Sequence, residues 1–218
     1  MPYSTGIPVP PGLLPWASTE PHRLTALAHV RRYGRGQDIY GPEELSDTWY
    51  RVVAGLARKY LMRSDGHRQL VDLYLPGDFF GFSDRTHHKF AVQAVADGTL
   101  IACYARHRVE KLAEEDPATA SEIRMQGFAA LARLEDQMMV IGTITAQEKV
   151  REFLANFFHR TSEGKDGDLV LPISRYDIAD ILGVSAETVS RAFTDLQERG
   201  IISLHGPRQV TMVRKGRE

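Results

Sequence analysis

The sequence predicts an α+β chain in three successive parts: a β-rich sandwich or barrel, a long helix, and a winged helix-turn-helix. Three observations carry this. Short β-prone runs separated by glycine or Asp-Gly fill roughly residues 23–106, and apolar residues then recur from Gly127 to Thr145 in alternating steps of four and three. Between Leu171 and Leu204, two short amphipathic patterns meet at Gly183.

Composition bounds the reading. The 218 residues leave room for one large or two small domains, and 43% hydrophobic with 25% charged is an ordinary globular balance. No run of about 18 apolar residues occurs, which argues against a membrane span. Met1 to Gly12 lacks the basic start and long apolar middle of a signal peptide, so a cytoplasmic location is expected. Cys103 is the only cysteine, which rules out a disulfide within one chain and fits a reducing compartment.

Residues 1–22 hold prolines and glycines without periodicity and are expected to form a flexible leader. Strands are expected over Trp49–Gly55, Leu56–Met62, Gln69–Leu75, Phe90–Val95 and Leu100–Tyr104. Asp65-Gly66 predicts a hairpin, because this pair tolerates the positive backbone angles of tight turns, and Asp97-Gly98 predicts a second. These elements make a domain over 23–116.

A short helix from Arg106 to Glu114, halted near Pro117, precedes a longer one from about Thr119 to Ile144, roughly 40 Å at 1.5 Å per residue. Along it Gly127, Leu131, Leu134, Met138 and Ile141 form a seam of coiled-coil spacing, assigned to a partner's helix. The other apolar face, Phe128, Ala132, Met139 and Val140, is assigned to the barrel. Residues 117–145 are thus a dimerisation helix ending in a hinge near Gly142–Thr145, and 146–218 form the last domain. That domain opens with a helix over Gln147–His159 whose core stripe is Val150, Phe153, Leu154 and Phe157, followed by a polar loop over Thr161–Asp168.

Ser174 begins a Ser-x-x-Asp capping arrangement with Asp177, Gly183 suits the left-handed turn, and Ser185 caps the next helix. In that second helix Val189, Ala192, Phe193 and Leu196 fall at i, i+3, i+4 and i+7 and pack on Ile178, Ala179 and Leu182. The opposite face carries Glu187, Ser190, Arg191 and Thr194, types that can bond base edges: arginine to guanine, glutamate to a cytosine amine, serine to several. An ordinary solvated face is the bland alternative; the paired helix and the following hairpin favour DNA. Ile201–Leu204 and Gln209–Val213, broken at His205 to Arg208, are that hairpin, the wing. The formal net charge of −1 is low for a nucleic-acid binder. Arg191, Arg199, Arg208, Arg214, Lys215 and Arg217 gather at this end, partly balanced by Asp177, Asp180, Glu187, Asp195 and Glu198, so reliance on base readout is expected.

The string Glu187-Thr188-Val189-Ser190-Arg191 resembles the Glu-x-x-Ser-Arg of FixK-type and Fnr-like members of the Crp/Fnr superfamily. Leu75-Pro76-Gly77-Asp78-Phe79-Phe80-Gly81 resembles the corner of its cyclic-nucleotide-binding jelly roll. The resemblance covers about residues 25–213. It implies a transcription regulator, activating rather than enzymatic, that binds double-stranded DNA as a homodimer at a TTGAT-N4-ATCAA-like palindrome. It further implies control of low-oxygen, respiratory or nitrogen metabolism genes. Glu187, Ser190 and Arg191 would read bases, with Ser174, Arg175, Ser185, Thr188, Thr194 and Arg208 as backbone or supporting contacts. Ser83, Asp84, Arg85 and Thr86 resemble a loop that touches RNA polymerase.

No cofactor is expected. Nucleotide-binding members place a glutamate after the second glycine and an Arg-Ser pair shortly beyond; here Phe82 and His88-Lys89 stand in those places. One cysteine cannot hold an iron-sulfur cluster. Haem-bearing relatives have Cys and His ligands about where Gly81 and Ser83 stand, so His87 and His88 are read as exposed loop residues, and Cys103 as a buried, inert strand residue. No Gly-rich phosphate loop, nucleophile elbow or His-Glu-x-x-His occurs to suggest an enzyme. The alternative within the same fold is a regulator whose DNA binding requires a small effector or haem.

Overall fold

The computed structural model describes residues 23–142, 145–161, 169–171, 173–206 and 209–213. The leader, most of the Thr161–Asp168 loop, Ile144 and the basic residues Arg208, Arg214, Lys215 and Arg217 lie outside them. The chain divides into two compact units, Met1–Arg133 and Leu134–Glu218.

The first unit is an antiparallel sandwich. After a 3-10 turn at Thr25–Leu27 come β1 (His29–Tyr33), β2 (Asp38–Tyr40), β3 (Thr48–Ala54), β4 (Ala57–Met62), β5 (Arg68–Tyr74), β6 (Phe79–Phe80), β7 (Ala91–Ala94) and β8 (Thr99–Ala105). One sheet has the order β1-β8-β3-β6 and the other β2-β7-β4-β5. The hairpin at Asp65-Gly66 forms as expected: β4 pairs with β5, and Gly66 takes φ 80°. Asp97-Gly98 does not make a hairpin. Gly98 has φ 74°, but β7 and β8 belong to different sheets, so this turn carries the chain across the sandwich.

Alternation along β3 sorts its side chains. Tyr50 and Val52 face the interior cluster with Tyr33, Ile39, Tyr40, Tyr74, Phe80, Val92, Ile101 and Cys103. Val53 belongs to a second cluster, with Phe79, Tyr104 and Val109, against which Trp49, Phe82 and Ile123 pack. That second cluster lies under α1 (Arg106–Glu115) and the start of α2 (Pro117–Gly142). Pro117 therefore opens α2 rather than merely ending α1, as suits a residue with no backbone N–H to leave unpaired in the first turn.

The faces of α2 differ from expectation. Phe128 is 58% exposed and Met139 77%, and Ala132 is exposed too; of the four residues assigned to the barrel only Val140 is buried. The helix meets the sandwich through Ile123 and Arg133 instead, and the Arg133 contact is polar. Arg133 lies 3.4 Å from Asp78 in a pair whose side chains are each 14% exposed, and it donates to the Phe79 carbonyl at 3.2 Å. Arg51, buried beneath, donates to the Gly77 carbonyl at 3.2 Å with its guanidinium over the Phe79 ring. Hydrophobic periodicity cannot see a contact built from paired charges.

In the second unit, α3 (Ala146–Thr161) buries Val150, Leu154, Phe157 and Phe158. It is followed by β9 (Leu169–Val170), α4 (Arg175–Leu182), α5 (Ala186–Glu198), β10 (Ile202–Leu204) and β11 (Gln209–Met212). The last two pair as the expected wing, with Ile202 opposite Met212, and β9 adds a third strand beside β11.

Candidate nucleic-acid interface

Local chemistry sets the two helices. Ser174 Oγ accepts the Asp177 amide at 3.1 Å, while Asp177 Oδ2 accepts the Ser174 amide at 3.0 Å and its hydroxyl at 2.8 Å. Asp177 is thereby fully engaged although buried, a reciprocal cap worth about 1 kcal/mol. Gly183 at φ 64°, ψ 37° ends α4 in the left-handed conformation that a side chain would oppose. Ser185 then opens α5 by accepting the Thr188 amide at 3.1 Å, with the Thr188 hydroxyl 2.7 Å away.

The inner face of α5 is as expected: Val189, Ala192, Phe193 and Leu196 are all buried, and the helix packs on α3 and α4. Burying Phe193 to 1% exposure contributes about 1.5–3 kcal/mol from apolar area alone. The outer face presents Glu187 and Arg191, paired one turn apart at 2.5 Å with side chains 71% and 78% exposed. Such a surface pair adds only about 0.3–0.5 kcal/mol to the helix. Both groups are therefore available to new partners at little cost.

The other expected contacts are held differently. Ser190 is half-buried, and its hydroxyl donates to the Ala186 carbonyl at 2.9 Å, which leaves its lone pairs as the outward function. Thr194 donates to the Ser190 carbonyl at 3.2 Å. Arg175 is not extended into solvent: its guanidinium lies 4.4 Å over the Phe193 ring, where burial lowers its pKa. Beside it Tyr176 is 78% exposed. No periodic or motif signal marks that tyrosine.

In the first unit, Gly77 and Gly81 take φ 96° and 87° at the Pro-Gly-Asp corner, and Asp78 Oδ2 accepts the Leu75 amide at 2.7 Å. A Cβ on Gly81 would sit 2.7 Å from the Tyr50 ring. Phe82, at the ribose position of the resemblance, turns into the cluster under α2, edge-on to Trp49 at 5.0 Å. His87 is exposed as expected, but His88 is not. Its ring stacks on Tyr40 at 3.8 Å and is 5% exposed, because the segment folds back on the β2 end of the sandwich. Asp84, Arg85 and Thr86 are exposed, and Ser83 is half-buried. Ser46 anchors this loop, its amide donating to the Thr86 carbonyl at 2.9 Å and its hydroxyl to that of Arg85. Cys103 is buried, its thiol pushed up to about 11 by desolvation. Among the described residues no group of three potential metal ligands occurs, and no helix is long and apolar enough to cross a membrane.

A capped helix pair with a wing, joined in one chain to a sandwich bearing this corner, defines a DNA-binding transcription regulator. Comparison with known proteins agrees. Residues 148–216 match the Crp-like helix-turn-helix domain, and residues 30–116 the cyclic nucleotide-binding domain. The nitrogen fixation regulation protein FixK of Rhizobium meliloti is 37% identical over 85% of this chain and 83% of its own. The transcriptional activatory protein AadR of Rhodopseudomonas palustris is 35% identical over 81% and 74%. The solved structure of FixK2 from Bradyrhizobium japonicum superposes with a TM-score of 0.78 at 36% identity, covering 86% of this chain and 93% of that one. The chain belongs to the Crp/Fnr family of transcription regulators, with FixK proteins among its relatives, and those relatives are regulators, not enzymes.

Proposed function

We propose that this regulator is an activator that works as a homodimer, without cyclic nucleotide, iron-sulfur or haem cofactor, on a palindrome close to TTGAT-N4-ATCAA. The observation that carries the reading is the exposed Glu187–Arg191 pair on the outer face of α5. Arg191 meets guanine O6 and N7 through its two-pronged fork, Glu187 accepts from a cytosine amine while steadying Arg191, and Ser190 offers lone pairs to a base amine. Ser174, Ser185 and Thr188 support these readers by fixing the helix starts, and Arg175 by packing on Phe193. Thr194 and Arg208 complete the backbone-side contacts.

In this reading residues 117–145 carry the dimer. Leu131, Leu134, Met138 and Ile141 are 53%, 43%, 73% and 43% exposed in one chain, and a Cβ on Gly127 would meet nothing within 4 Å. A partner's helix seated there covers apolar surface otherwise left in water, and two-fold symmetry then sets the recognition helices about 34 Å apart, one turn of DNA. Residues 23–116 form the effector-type domain and 146–218 the DNA-binding domain. Absence of nucleotide control is supported by Phe82 turned under α2 and by His88 stacked on Tyr40, since neither can grip a ribose hydroxyl or a cyclic phosphate. Ser83, Asp84, Arg85 and Thr86 form the surface offered to RNA polymerase. Regulation of low-oxygen, respiratory or nitrogen metabolism genes is part of this reading, and its nitrogen arm is supported by the FixK relatives, nitrogen fixation regulation proteins. Selection of bound sequences from random DNA, followed by titration with and without cyclic nucleotides, tests this. The expected result is an enriched palindrome bound equally in both conditions; a nucleotide-dependent rise in affinity would overturn the cofactor-free reading.

A further inference from the structure

His88 is a buried titratable side chain for which DNA readout has no use. Its ring lies nearly parallel to Tyr40, 16° between planes, and closes the end of the interior array of Tyr40, Tyr50, Phe80 and Tyr74. Its main chain is pinned in both directions, donating to the Glu44 carbonyl and accepting from the Glu43 amide at 2.8 Å each. Glu43 takes φ 63° to make this contact, the sole non-glycine among the described residues in that region. The Nε2 atom of His88 is out of reach of solvent and has no hydrogen-bond partner. A neutral ring protonated on Nδ1 leaves only a lone pair there, whereas an imidazolium must place a charged N–H with nothing to receive it.

We propose that His88 is a proton-operated latch, holding residues 83–89 against the sandwich when neutral and releasing them when protonated. The surroundings set the sense of the response. Glu44 and Asp47, in the stretch before β3, favour the charged ring, and Lys59 on β4 opposes it. Tyr40 on β2 remains neutral, its phenol pushed far up by burial, and His87 and Lys89 flank the residue in the chain. Burial outweighs the two carboxylates and holds His88 below the ordinary histidine value.

Well above pH 6.5 the ring is neutral whether docked or released, and docking has its full strength. As pH falls below that value, the released ring takes up a proton that the docked ring refuses. Opening is then favoured by about tenfold per pH unit at most, until the docked ring also titrates. The latch stands on the packing of His88 alone; its effect on transcription rests on the reading of Ser83 to Thr86 as a polymerase surface.

Amide hydrogen exchange on the full chain, corrected for intrinsic rates and compared at pH 7.5, 6.5 and 5.5, tests the latch. Protection of residues 83–89 should fall several-fold between pH 6.5 and 5.5 while the β3 and β8 amides hold, and His88→Phe, which keeps the stack without a titrating group, should flatten that response. A wild type without the fall, or an equal fall in His88→Phe, overturns the proposal. Should His88→Phe fail to fold, the ring titration of His88 followed by NMR in the wild type decides: a midpoint below 6.5 supports the latch, and one at or above 6.5 overturns it. Transcription at the two pH values separately tests the polymerase reading, and its outcome leaves the exchange result intact.

Discussion

Replacing Arg191 separates base readout from phosphate contact. In the free protein Arg191 pairs with Glu187 across one helical turn, both side chains exposed, so Arg191→Ala costs the fold about 0.5 kcal/mol or less. Losing a two-pronged contact to guanine costs about 1–3 kcal/mol per half-site, roughly 5- to 150-fold, and twice that in free energy when both half-sites of a dimer are affected. The assay is fluorescence anisotropy against the palindrome, against the palindrome with its guanines exchanged, and against scrambled DNA, at several salt concentrations. Arg191→Lys refines it by keeping the charge while removing the fork. Base readout requires that both variants lose most of their preference for guanine and that Arg191→Lys leaves the salt slope unchanged. Equal loss on all three DNAs, with a slope reduced by about 0.9 per phosphate contact, would make Arg191 a backbone cation and refute the assignment.

Leu134→Asp places a charge in the proposed seam and should shift the chain to monomer in sedimentation equilibrium with the fold retained; an unchanged dimer would move the interface elsewhere. Ser174→Ala removes the reciprocal cap of α4 and should destabilise the second unit by about 1 kcal/mol, read as a lower unfolding temperature with base preference intact. Gly81→Ala forces a Cβ toward the Tyr50 ring and the Thr48 carbonyl at a positive φ, so denaturant melts should show a loss of about 1–3 kcal/mol confined to the first unit.

What the sequence revealed depended on how local the cause was. The caps of α4 and α5 are hydrogen bonds between residues three apart, so Ser174, Asp177, Gly183 and Ser185 announce them directly. Strands β3, β4, β5, β7 and β8 were legible as β-prone runs. By contrast β1, His-Val-Arg-Arg-Tyr at a sheet edge, buries only Tyr33, and β2, β6 and β9 are two or three residues long, held by partners far away in sequence. The barrel-facing side of α2 was misassigned because Arg133 and Asp78 bury there as a pair. On the outer face of α5 the residue types were readable, but the inward bond of Ser190 was not, nor was the packing of Arg175 on Phe193, since both depend on rotamers.

The hold of Arg133 on Asp78 also bears on how such a chain can be cut and recombined. The sandwich does not finish at its last strand: Ile123 packs against its second cluster, and Arg133, ten residues on, neutralises a carboxylate at its corner. A fragment ending at Asp116 would leave Asp78 without that countercharge and bare the ring of Phe82. A chimera grafting a foreign DNA-binding head onto this sandwich therefore needs its junction after Arg133. The first four turns of α2 travel with the sandwich as its inheritance.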